Sequence, residues 1–326
     1  MAWLGGGSTA GTVNIEDGIT YDALGGILSL SRKGPDGMAV SRLGMTRSGG
    51  RVTSVRDSTA NQTWSYQYAS DGTLKKDTRV GLEYADNLLG LMAQEGTRRG
   101  HSLDYEIAAS YSYLPDGTKL DVTKSDSSAV LYRGRFTYRR SASGEITLES
   151  IAAPEGVVFT SASGMTWTPY TLVTDRLGSV RAIVDMSSGT VVERNDYYPY
   201  GMRIATPSSA TSSYPQLATN RWSFSGKEEQ DSLAFTPYLD FGARQYDPEV
   251  ASWLAPDPLA TDYPYLSPYV YCAADPVNLV DPYGTNNYYL NDKGMWRKED
   301  TEDPFDIIIS PSGDQLLIQN QDIMGK

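Results

Sequence analysis

The sequence predicts an all-β fold: stacked antiparallel hairpins form a curved, partly closed sheet, with an irregular proline- and aromatic-rich plug at the C-terminal end. Three observations lead there. Apolar and aromatic residues alternate with polar ones at a period of two, not at the helical period. Tyrosine is abundant, 23 residues against 6 phenylalanines, and 31 glycines permit frequent chain reversal. Prolines crowd one late stretch in which aromatic residues stay dense.

The hairpins are legible one by one. Trp64, Tyr66 and Tyr68 share one side of a strand, with Ser65 and Gln67 on the other. Asp71-Gly72 then turns the chain, since both residues tolerate positive φ, and Thr73 to Thr78 returns. The same unit recurs as Tyr111 to Tyr113, turn Pro115-Asp116-Gly117, return Lys119 to Val122. Further copies run Phe136 to Tyr138 with turn Ser143-Gly144, Ile19 to Asp22 with turn Leu24-Gly25-Gly26, and Ser179 to Asp185 with turn Ser187-Ser188-Gly189. One hairpin alone is marginal in water, so these units must pair edge to edge.

The texture changes after residue 195. Thr206 to Pro215 reads as an exposed loop. Between Arg221 and Gly284 prolines recur from Pro237 to Pro282, which disfavours long strands and helices. Trp222, Tyr246, Trp253, Tyr269 and Tyr271 lie in this stretch, and that many aromatics predict a packed plug rather than a linker. Ile307-Ile308-Ile309 and Leu316-Leu317-Ile318, either side of Pro311-Ser312-Gly313-Asp314, predict a last hairpin.

Composition narrows the function. Net charge is −12 over 326 residues, which argues against a nucleic-acid partner, because neutralising phosphates needs cations. A single histidine, His101, and a single cysteine, Cys272, leave no histidine-rich metal site, no internal disulfide and no paired-cysteine redox motif. No metal or cofactor is expected. No apolar run approaches the ~20 residues of a membrane helix. Met1 to Gly7 lacks the basic and apolar regions of a signal peptide, which fits a cytoplasmic chain or part of a longer one.

Seven ordered segments resemble a known family. They are Tyr21-Asp22-x-x-Gly25, Asp175 to Arg181 (DRLGSVR), Asp196 to Gly201 (DYYPYG), Phe224 to Glu228 (FSGKE), Asp240 to Pro248 (DFGARQYDP), Trp253 to Leu259 (WLAPDPL) and Ser267 to Gly284 (SPYVYCAADPVNLVDPYG). Together they resemble the Rhs or tyrosine-aspartate repeat proteins and their Rhs repeat-associated core. The close match runs over about 170–284, and the weaker repeat match reaches upstream.

The resemblance implies that repeats in 1–169 form part of a hollow shell, that 170–284 is the core that plugs it, and that 285–326 is a variable tail. It implies a structural scaffold of a secreted or cell-surface bacterial toxin system. Its partners would be upstream repeats or a C-terminal toxin segment of a parent protein. Full shells of the family use several times more repeats, so the chain reads as the downstream end of a larger protein or a relic of one. A bare strand edge is then expected between Val13 and Tyr21, unless the glycine-rich residues 1–12 fold back over it.

The resemblance also implies candidate catalytic residues. Relatives cut themselves just after this last motif with paired aspartates, and by resemblance the candidates here are Asp257, at the Asp-Pro of WLAPDPL, and Asp281, within DPYG itself. Two close carboxylates cannot both ionise, so such a pair can perform acid–base hydrolysis. Residue 285 is threonine where cutting relatives carry leucine, and Tyr269-Val270-Tyr271 lacks the acid expected there. The plainer reading is that both aspartates cap local turns. Self-proteolysis and adhesion to cell-surface glycans through the tyrosines are the alternative functions. A His101–Cys272 dyad and an anion site at Arg98-Arg99-Gly100 have weaker grounds.

Overall fold

Alternation is realised strand by strand in the structure, a computed structural model. It describes residues 3–5, 14–98, 105–153, 156–160, 166–204, 220–230, 237–285, 288–290, 296–298, 305–309 and 315–319. The first strands are β1 (Trp3–Gly5), β2 (Asn14–Tyr21), β3 (Ile27–Lys33), β4 (Ala39–Ser48), β5 (Arg51–Asp57) and β6 (Gln62–Tyr68). Next come β7 (Leu74–Asp77), β8 (Leu82–Asp86), β9 (Met92–Arg98), β10 (Tyr105–Tyr113), β11 (Lys119–Lys124) and β12 (Ala129–Arg133). The series ends with β13 (Phe136–Arg140), β14 (Ile146–Ala153), β15 (Gly156–Thr160), β16 (Trp167–Thr174), β17 (Val180–Asp185) and β18 (Val191–Arg194).

Each strand pairs antiparallel with its neighbours in sequence, giving one 18-stranded meander that stays open. Among the described residues, helix is confined to three 3-10 turns of three residues each. Asp71-Gly72, Asp116-Gly117 and Ser188-Gly189 all fall in connections between strands. Consecutive connections alternate between the two rims of a meander, so those after β2, β4, β6, β8 and β10 share one rim.

The plug fills the inner face. Glu228–Glu229, Leu239–Asp240, Gln245–Asp247 and Ser252–Trp253 form a small four-stranded sheet. Trp253, Tyr246, Tyr271 and Phe241 meet ring to ring, with centroids 4.9 Å apart for Phe241–Trp253 and 4.4 Å for Tyr246–Tyr271. They join Leu30, Val55, Trp64, Tyr66, Tyr84, Val122 and other inner-face residues in one buried cluster. Leu279–Val280 pairs with Tyr288–Leu290, which pairs with Trp296–Lys298. The last expected hairpin is present as Phe305–Ile309 against Gln315–Gln319.

Two expectations need correction. Trp222 is 37% exposed, whereas Tyr246, Trp253, Tyr269 and Tyr271 are buried. Side chains alternate along an extended segment, and Arg221 takes the inward direction to reach Glu149 and Glu228, which turns Trp222 out. The edge of β2 is also covered in part, because β1 pairs with it from Asn14 to Glu16. The loop expected at 206–215 lies outside the described residues.

Candidate functional site

Both predicted aspartates lie beside prolines, which cannot donate a backbone hydrogen bond, and both carboxylates reach past the proline to later amides. Asp257 Oδ1 accepts from the Leu259 amide at 2.8 Å. Asp281 Oδ1 accepts from the amides of Tyr283, Gly284 and Thr285 at 3.2, 2.7 and 2.9 Å. Gly284 sits at φ +73°, a conformation that suits glycine and lets the turn close on the carboxylate.

The two carboxylates are brought together by a residue to which the sequence reading assigned no role. Arg244 Nη2 lies 3.0 Å from Asp257 Oδ2 and 3.2 Å from Asp281 Oδ2. Its Nε donates to the Gly284 carbonyl at 2.6 Å and its Nη1 to the Pro268 carbonyl at 3.2 Å. The guanidinium stacks on Trp253, 4.1 Å from the ring centroid. Burial pushes both carboxyls up and the guanidinium down, and their mutual attraction opposes each shift. The signal for Arg244 was present in the sequence, as a lone cation inside the aromatic run Phe241 to Tyr246.

The geometry has two chemical consequences. Arg244 polarises the Gly284 carbonyl while Asp281 holds the next amide, so the 284–285 peptide bond lies in the middle of the cluster. Every oxygen of the two carboxylates is also engaged, with backbone amides on each Oδ1 and Arg244 on each Oδ2.

The plug is tied to the sheet by polar contacts as well as by packing. Ser267 and Tyr269 grip three successive turns of one rim. The Ser267 amide donates to Leu24 O at 2.8 Å, its hydroxyl to Gly50 O at 3.1 Å, and the Tyr269 hydroxyl to Gly72 O at 2.8 Å. A Cβ on Gly72 would lie 2.5 Å from that tyrosine oxygen, so the close approach requires glycine. Deeper in, Arg79 bridges Asp77, Asp247 and Glu249 at 3.1, 2.7 and 2.5 Å. Lys119 lies 2.7 Å from both Glu228 and Asp240, and Arg221 joins Glu149 to Glu228. With two cations beside it, the Glu228 carboxyl is held down to about 2 although burial opposes this.

Cys272 is fully buried in the plug, where desolvation pushes its thiol up, and His101 lies outside the described residues. Arg98 pairs with Glu83 at 3.2 Å, and Arg99 and Gly100 lie outside the described residues. Among the described residues most tyrosine rings are buried or half-buried, leaving Tyr265 at 66%, Tyr21 at 41% and Tyr283 at 37% as the exposed ones. Among the described residues no helix is long and apolar enough to cross a membrane.

No family model matches the chain. Over 115 residues it is 30% identical to Salivary gland surface protein 1 of Aedes aegypti, which covers 35% of this chain and 3% of that protein. The crystal structure of TcdB2-TccC3 without its hypervariable C-terminal region superposes with a TM-score of 0.50 at 16% identity, over 83% of this chain and 18% of that one. The Photorhabdus luminescens Tc holotoxin pore gives a TM-score of 0.48 at 15% identity, over 83% of this chain and 18% of that chain. The chain thus spans under a fifth of the solved chains it matches. At this identity the likeness establishes the architecture alone, an Rhs-type all-β fold.

Proposed function

We propose that the chain is a structural scaffold, the plugged end of an encapsulating shell in a secreted toxin-type protein. In this reading residues 1–169 supply wall, 170–284 form the core, whose strands β17 and β18 still belong to the wall before the plug begins, and 285–326 is the segment the plug holds. One observation carries it: Ser267 and Tyr269 bind the backbone of three successive rim turns, which locks the plug onto neighbouring hairpins that lie far from it in sequence. The fold of TcdB2-TccC3, a toxin chain truncated at a hypervariable C-terminal region, supports it. Limited proteolysis tests it. Peptides from 237–285 should resist cleavage as long as the sheet does, and early cleavage there would show that the plug is not part of the scaffold.

A second reading is favoured by Arg244 on the Gly284 carbonyl. Water would add across the 284–285 peptide bond, placing its oxygen on the Gly284 carbon and a proton on the Thr285 nitrogen, with Asp257 or Asp281 as acid–base group. We expect no such cleavage, because both carboxylates are already fully engaged and Arg244 stands where they would share a proton. Intact-mass measurement on fresh protein decides the matter. A fragment ending at Gly284, lost in Asp257→Asn, would make the chain a self-hydrolase and Arg244 its carbonyl-polarising group.

A further inference from the structure

We infer that the outer face of β12 to β17 is a docking surface for a second copy of this chain. Ladder register defines that face. Leu131 pairs with Tyr138, Phe136 with Ile151, Ile151 with Val158, Val158 with Pro169, and Val173 with Ala182. Paired residues share a side of the sheet. The opposite side is the one that meets the plug, through Val130 in the buried cluster, Tyr132 on Glu228 and Glu149 on Arg221. On the outer side Phe136, Ile146, Trp167 and Val173 are 43, 57, 52 and 44% exposed. Contiguous exposed apolar surface of this kind marks interaction sites.

Charge and size point to a second copy. The rim at the β12–β13 connection is basic. Arg133 there makes only backbone carbonyl contacts, at Leu120 and Tyr132, and Arg135 is exposed beside it. The other rim carries exposed Asp126 and Glu145, while Arg140 is turned onto Thr123 and Ser127. A two-fold axis lying across the strands would lay one face on the other with the rims exchanged. Arg133 and Arg135 of one copy would then stand between Asp126 and Glu145 of its partner. Six strands about 4.8 Å apart and about 17 Å long give roughly 500 Å² per copy, or about 1,000 Å² in all, the lower bound for a specific interface. An interface at that limit is a weak one, so the dimer should dissociate on dilution.

Sedimentation equilibrium of the 326-residue chain over micromolar concentrations tests this. A monomer–dimer equilibrium is expected, with Ile146→Glu weakening it at least about tenfold. Arg135→Glu and Glu145→Arg should each weaken it, and the double variant should recover most of the affinity, as rim exchange requires. A monomer at every concentration overturns the inference. So does a dimer untouched by Ile146→Glu, which would place association at a strand edge, or a monomer that instead binds neutral phospholipid vesicles.

Discussion

Strands β4 to β11 and strands β12 to β17 are two halves of one meander, built from the same kind of hairpin, yet their outer faces differ. The first half turns Arg42, Arg56, Thr63, Gln67, Lys76 and Glu83 outward, by register with its inward Leu43, Trp64, Tyr66 and Leu82, and its strands expose only Val40 and Ile107 among the described large apolar residues. Its inner face carries the plug, so this half is the one-sided antiparallel sheet that water tolerates. The second half is apolar on both sides. Its inner side holds Val157, Phe159 and Ile183, all buried, and its outer side holds Phe136, Ile146 and Trp167. One half needs a single partner, which the plug provides, and the other needs two.

The sharpest test of that contrast uses two tryptophans. Trp253 is 1% exposed beneath the first half, and Trp253→Ala should cost about 3–5 kcal/mol in urea unfolding. Trp167→Ala on the outer face should stay within ~0.5 kcal/mol for the monomer. Equal losses would erase the distinction between the halves.

A second test breaks the polar seam. Arg79→Met leaves the buried Asp77 and Asp247 carboxylates without their cation, beside the Tyr238 and Tyr66 hydroxyls that donate to them. About 3 kcal/mol should be lost. No loss on thermal unfolding would mean that the seam orders the plug without stabilising it.

A pH-dependent effect comes from Glu95, on the inner face between Tyr84 and Ala109 in the ladders. Its carboxylate oxygens are buried with no hydrogen-bond partner, and burial raises its pKa from 4.5 to about 8. The folded chain thus keeps Glu95 protonated where the unfolded chain ionises it. The contribution to stability is complete below about pH 4.5 and is lost as pH rises through about 8. Glu95→Gln stays neutral throughout. Its stabilisation should be near zero in acid and grow with pH to roughly 4–5 kcal/mol above about pH 8. A pH-independent difference would show that Glu95 is solvated in the native state.

The sequence by itself determined the hairpins, their glycine turns and the packed plug. These depend on interactions between near neighbours: the period of alternation, the φ a glycine permits and the amide a proline lacks. The turn-capping role of the two aspartates was legible for the same reason, because each cap spans only a few residues, whereas their candidacy as a catalytic pair came from the resemblance alone. Long-range packing decided the rest. Arg244 meets Asp257, Asp281 and Gly284 only after the plug folds back on itself. Trp222 points outward because Arg221 has a stronger claim on the interior, and β1 covers the edge of β2 from across a gap in the described chain. The outer face of β12 to β17 is the extreme case. Where apolar residues occupy both phases of a strand, alternation cannot say which side faces in, and the choice falls to whatever packs against it.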